Sequence, residues 1–152
     1  MAGVTRARYK PNIVQTVKTT SFSTTSTSFT DVTGLSVAIT PKNASSLVLV
    51  TVSIYTSNSA VAVNTLNLLR GSTALAQPAA DTYSGSMNAS MAVVGSDDKT
   101  VSLTFLDSPA TTSATTYKIQ MKVSSGTAYV SRRSDLASVS AASIITVQEI
   151  EQ

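Results

Sequence analysis

The runs VSLTFL (101–106) and TYKIQMKV (116–123) alternate apolar and polar residues. A period of two is what a β-strand with one buried face demands. Val101, Leu103 and Phe105 stand against Ser102 and Thr104. Tyr117, Ile119, Met121 and Val123 stand against Lys118, Gln120 and Lys122. The two runs and their connection read as a hairpin-like unit whose apolar faces share one core. LSVAI (35–39) repeats the pattern and ends at Thr40-Pro41. LVLVTVSIY (47–55) is apolar on one face and begins apolar on the other, which suits a central strand between two layers.

Further strands are expected at 13–19, 61–70, 73–76, 89–95, 127–130 and 143–150. Gly71-Ser72 between two of them fits a type II′ hairpin turn. The hydroxyl-rich piece 21–34 keeps Phe22, Phe29 and Val32 as apolar anchors, so it reads as a strand pair or edge segment. The sum is about eight to ten short strands with frequent turns, the pattern of a sandwich or jelly roll. No segment sustains a helical period. The expected fold is all-β: an antiparallel β-sandwich, jelly-roll-like, with a basic N-terminal arm over residues 1–12 and a single domain over 13–152.

Composition supports this and removes several chemistries. The chain has 23 Thr, 25 Ser and 17 Val, and charged residues make up only 12%. Without cysteine or histidine there can be no disulfide, Cys/His zinc site, cysteine nucleophile or Ser-His-Asp triad. No apolar run is long enough for a membrane helix, and MAGVTRARYK lacks the apolar stretch of a signal peptide. The sequons at Asn43 and Asn88 therefore mean little. No cofactor and no membrane partner are expected.

The positive charge is placed unevenly. Arg6, Arg8, Lys10 and Lys18 precede the first acid, so the first thirty residues carry +4 and the remainder −1. A basic arm ahead of a sandwich can lie across a neighbouring subunit and pair with acidic surface. Arg132-Arg133 is the other candidate interaction site, for a subunit salt bridge, a phosphate or an acidic sugar. With Arg6, Arg8 and Lys10 these are the candidate contacts to a subunit or another partner protein. The nearly neutral body has no basic strand face rich in aromatics, so nucleic acid is not an expected partner.

Asp107-Ser108-Pro109 sets a hydroxyl beside a carboxylate, but without histidine a base would have to be Lys, Asp or Glu, and no SxxK or GxSxG motif is expected to supply one. It reads as a turn leaving a strand. Asp81, Asp97, Asp98, Asp107 and Asp135 are all expected in loops as solvated turn residues. Gly95-Ser96-Asp97-Asp98 has too few ligands for an EF-hand. No catalytic or metal-binding residue is assigned, and the chain is not expected to be an enzyme.

QTVKTTSFSTTSTSFTDVTGLSVAITP, NLLRGSTALA, TFLDSPATTSATTYKIQMKVSSGTAYV and ITVQEI, in this order, resemble a family of small virion proteins of tailed bacteriophages, notably cyanophages. The likeness spans about residues 13–150 and leaves the arm outside. It implies an antiparallel sandwich used as a capsid decoration or in tail fibres, and it carries no catalytic residue. The expectation is a capsid decoration or cement protein on the outer surface of the virion. It would act as a homotrimer bound to the major capsid protein or other virion proteins. The alternative is a tail-fibre receptor-binding module whose loops 77–88, 107–116 and 131–138 contact host glycan, with Tyr83 and Tyr129 as aromatic platforms.

Overall fold

The computed structural model describes residues 10–79 and 89–152. In chain order the strands are β1 (Ile13–Lys18), β2 (Phe22–Thr24), β3 (Thr30–Ile39), β4 (Leu47–Asn58), β5 (Val63–Arg70), β6 (Thr73–Leu75), β7 (Met91–Val94), β8 (Lys99–Asp107), β9 (Thr115–Val123), β10 (Ala128–Val130) and β11 (Ser143–Ile150). They form two antiparallel sheets. One runs β1-β11-β4-β8; β10 and β2 continue it beside the far end of β4. The other runs β3-β9-β5, and β6 and β7 share the outer edge of β5. The sets 1-11-4-8 and 3-9-5-7, facing one another, are the jelly-roll arrangement. The chain is thus an all-β sandwich, as its alternation requires.

The core lies between the sheets. Val48, Val50, Val52 and Ile54 of β4, with Ile145 and Val147 of β11, face Leu66, Leu68, Tyr117, Ile119 and Met121, and all are fully buried. Among the described residues β8 pairs with β4 alone, and its Val101, Leu103 and Phe105 are half-buried at the margin of this core. β8 and β9 do share a core, but they are not a hairpin: β8 belongs to one sheet, and β9 pairs with β3 and β5 in the other. Their seven-residue connection crosses between sheets, and it is longer than the loops that close most hairpins. Similarly, β4 is central within its sheet, but only one face packs on a second layer; Leu47 and Leu49 lie half-buried on the outer face.

Turn chemistry follows the sequence. Gly71 has φ +58 and Ser72 does not share the left-handed region, which is the II′ pattern. Gly126 is more constrained. At φ +72, a Cβ there would stand 2.7 Å from Asn58 Oδ1 and 2.8 Å from Ala60 Cβ. Asn58 cannot yield easily, because its buried side chain donates to Asn64 Oδ1 (2.7 Å) and accepts from the Ala60 amide (2.9 Å). Gly126→Ala is expected to cost about 2–3 kcal/mol in urea unfolding, and Gly71→Ala, in open space, about 1 kcal/mol. Equal losses at the two sites would show that the contact with Asn58 is unimportant.

At one end of the sandwich β11 delivers Glu149 into a fully buried pocket. Its carboxylate accepts from Asn12 Nδ2 (2.8 Å) and from the Lys42 amide (2.7 Å). Asn12 also donates to the Thr40 carbonyl at 2.9 Å, and Lys42 Nζ donates to the Lys10 carbonyl at 2.8 Å. Residues 10–12, assigned to the arm by sequence, are therefore held against the sandwich. Lys18, counted with the basic N-terminal residues, is buried at the end of β1, and burial lowers its pKa. Its charge does not belong to the arm.

Candidate functional site

The strand directions decide which loops meet. β4 runs from the Glu149 end to the far end, and β8 runs back, so Lys99 pairs with Thr56 and Asp107 with Val48. β10 pairs with Thr56, Ser57 and Asn58, and its exit therefore lies at the far end too. Arg132 and Arg133 sit there, whereas Lys10 sits at the Glu149 end. The structure does not bring these candidate residues together. Arg6 and Arg8 lie outside the described residues. Loops 107–116 and 131–138 are likewise at opposite ends of the sandwich; most of loop 77–88, with Asp81, Tyr83 and Asn88, is outside the described residues.

The far end carries an open cleft of about 510 Å³, lined by Asn58, Ser59, Ser96, Asp97, Asp98, Arg133, Ser134 and Asp135. The buried Ser131 anchors the loop that carries Arg133, Ser134 and Asp135. It takes φ +60, donates its amide to the Tyr55 carbonyl at 2.8 Å, and donates its hydroxyl to Ser143 Oγ at 2.9 Å. Ser57 Oγ then donates to the Arg132 carbonyl at 2.8 Å, and the Arg133 amide to the Val139 carbonyl at 3.0 Å. These bonds fix the two arginines in different roles. The Arg132 guanidinium lies 4.7 Å from the centre of the Tyr129 ring, a cation–π contact. Arg133 faces the cleft, with Nε 3.0 Å from Asp98 Oδ2 and Nη2 2.8 Å from Asp135 Oδ2.

The charges respond to one another. The Asp135 hydrogen bond, then the charges of Asp135 and Asp98, raise the Arg133 pKa; Arg133 holds Asp135 below the usual carboxylate range. Burial, then the charge and hydrogen bonding of Asp98, raise the Tyr55 pKa. Asp97 makes no ion pair among the described residues. The cleft thus holds three carboxylates and one guanidinium, a formal charge of −2. An arginine already engaged by two carboxylates has less of its fork free for phosphate or an acidic sugar.

Asp107 departs most from expectation. It ends β8, is 5% exposed, and is no solvated turn residue. Arg70 Nη1 lies 2.8 and 2.9 Å from its two oxygens, and the Tyr117 hydroxyl donates to Oδ2 at 2.6 Å. Burial first, then this carboxylate, raise the Tyr117 pKa well above the usual phenol value. The trio is a strut between sheets: no nucleophile or base in it is left unengaged. Asp98 too is only half-exposed, while Asp97 and Asp135 are exposed as expected. Ser96 and Lys99 do have the spacing of an SxxK pair, contrary to the expectation that the chain has none. They sit on a turn and a strand, where residues three apart do not share a face. No group of three or more acids among the described residues is arranged to hold a metal ion.

No family model matches the chain, and no curated protein matches it. Among solved structures, it is similar to a chain in the structure of infectious bursal disease virus Gx strain, at 13% identity and TM-score 0.45. The similarity covers 93% of this chain and 38% of that one, so this chain spans well under half the length of that neighbour.

Proposed function

We propose that the chain is a structural protein of a tailed-phage virion, a decoration or cement protein on the outer capsid that works as a homotrimer. The observation that carries the reading is the outer face of the β1-β11-β4-β8 sheet. By register it presents Ile13, Gln15 and Val17, then Ile144, Thr146, Gln148 and Ile150, then Leu47, Leu49, Thr51, Ser53 and Tyr55, then Thr100, Ser102, Thr104 and Leu106. Not one is charged. Ile13, Val17 and Leu106 on this face are 51%, 47% and 50% exposed. An uncharged face with exposed aliphatic side chains is suited to packing against other protein. Beside it, the outer edge of β8 makes no backbone pairing among the described residues, an edge that assembly can cover. The ordered sequence resemblance to phage virion proteins supports the same reading.

Mass spectrometry of purified heads and tails tests it. The protein is expected in the head fraction, and heads lacking it are expected to lose integrity at lower temperature or lower salt than complete heads. Its recovery with tails, together with unchanged head stability, would remove the cement reading. The tail-fibre alternative rests on the polar cleft and the neighbouring Tyr129, since its three loops do not form one surface. It requires purified protein to bind host cells or their polysaccharide.

A further inference from the structure

We infer that the cleft at the far end of the sandwich receives the basic N-terminal segment of a second copy of this chain, Arg6 and Arg8 pairing with Asp97, Asp98 and Asp135. The inference deepens the proposed structural role by naming one contact between copies.

Charge is the first argument. The cleft is open, polar and formally −2, while Arg6, Arg8 and Lys10 put three cations within five residues and no acid beside them. Arg132 and Lys99 flank the cleft without lining it. Asp97 has no ion-pair partner among the described residues, and Asp98 and Asp135 share a single arginine. Guanidinium groups suit carboxylates because their planar forks can engage both oxygens.

Geometry is the second. Lys10 is tied to the Glu149 end through Lys42. The cleft lies past the other end of β4, whose twelve residues span about 36 Å. From Lys10, four residues back to Arg6 reach roughly 14 Å when extended, and an arginine side chain adds only a few more. The segment cannot reach its own cleft, whatever path it takes; it can reach that of a neighbour placed head to tail. Such a contact joins two different surfaces, and heterologous contacts close into rings when the rotation allows. The proposed trimer is one such ring.

The chain has no cysteine, so trapping is direct. The full chain carrying both Arg8→Cys and Asp97→Cys is expected to give covalent dimers and larger species on oxidation, reversed by reductant; each single variant is expected to give far less of the larger species. Sedimentation supplies the second measurement. The association of the native chain is expected to weaken as salt rises from about 0.05 to 0.5 M, as screening dictates. Arg6→Glu with Arg8→Glu should reduce association at least tenfold, and so should Asp97→Lys with Asp135→Lys. All four changes in one chain should restore it, because both signs are then exchanged. A disulfide formed only within one chain, a native chain that is monomeric at low salt, or charge reversals without effect would each overturn the inference. A monomer that is nonetheless found in purified heads would leave the virion reading standing and remove only this contact.

Discussion

Replacing Asp107 with alanine is expected to cost the fold about 3 kcal/mol, read as a lower urea midpoint at an unchanged slope. Removing one member of a buried ion pair strands the other. Here Arg70 Nη1 would keep only the Ser108 carbonyl at 3.0 Å, and the fully buried Tyr117 hydroxyl would lose its acceptor. The Arg70 side chain is 29% exposed, so water recovers part of the loss and the value sits at the low end for buried pairs. Tyr117→Phe, which deletes only the hydroxyl, should cost about 1 kcal/mol. Asp107→Leu combined with Arg70→Met should recover much of the alanine loss, because it removes the desolvated charges together. A loss below about 1 kcal/mol for Asp107→Ala would mean that the strut contributes little.

Glu149→Ala is expected to cost about 2–4 kcal/mol, with a pH signature that separates it from simple loss of packing. The substitution leaves the Lys42 amide and the Asn12 side-chain amide facing a buried hole. Burial works to raise the Glu149 pKa. The hydrogen bonds from Asn12 and from the Lys42 amide help to outweigh it, and the group is held below its ordinary value of 4.5. The folded state therefore binds this proton less readily than the unfolded chain. The resulting stability is complete above about pH 4.5 and is lost as pH falls through the lower folded value. Glu149→Gln should remove that part of the slope, leaving the exposed acids to supply the remainder. Identical acid profiles for the native chain and Glu149→Gln would defeat the assignment.

The strands were legible because the period of two survives even where hydroxyls replace charges. Tyr117, Ile119, Met121 and Val123 face the core as their alternation requires. β5 was legible as a strand but not as one buried on both faces: Asn64, Thr65 and Asn67 are all buried, which their polarity does not announce. Asn64 bonds back to Thr56, Ser57 and Asn58 across the preceding turn, whereas the partners of Asn67 lie further along the chain. Gln77 Nε2 and the Ser90 amide both donate to Asn67 Oδ1, each at 3.3 Å. Asp107 misled for the same reason. Asp-Ser-Pro is a local turn signal, whereas Arg70 lies 37 residues away. The separation of Lys10 from Arg132 and Arg133 depends on strand direction within a non-local sheet, which periodicity does not encode. The cleft could have been suspected from the acids at 97, 98 and 135, but only the register of β4, β8 and β10 brings them to one place.

The position of β11 between β1 and β4 governs when the sandwich can close during synthesis. Thr16 pairs with Ile145, which also pairs with Val52, so one sheet sets side by side strands that lie more than ninety residues apart in the chain. Until residues 143–150 have left the ribosome, β1 has no ladder to join and the Val48–Ile54 side of the core stands open beside it. Such non-local pairing makes folding slow. The hydroxyl-rich, weakly charged segments must stay soluble through that interval, and serine and threonine on the outward positions keep an unfinished sheet wetted without adding repulsion to the finished surface.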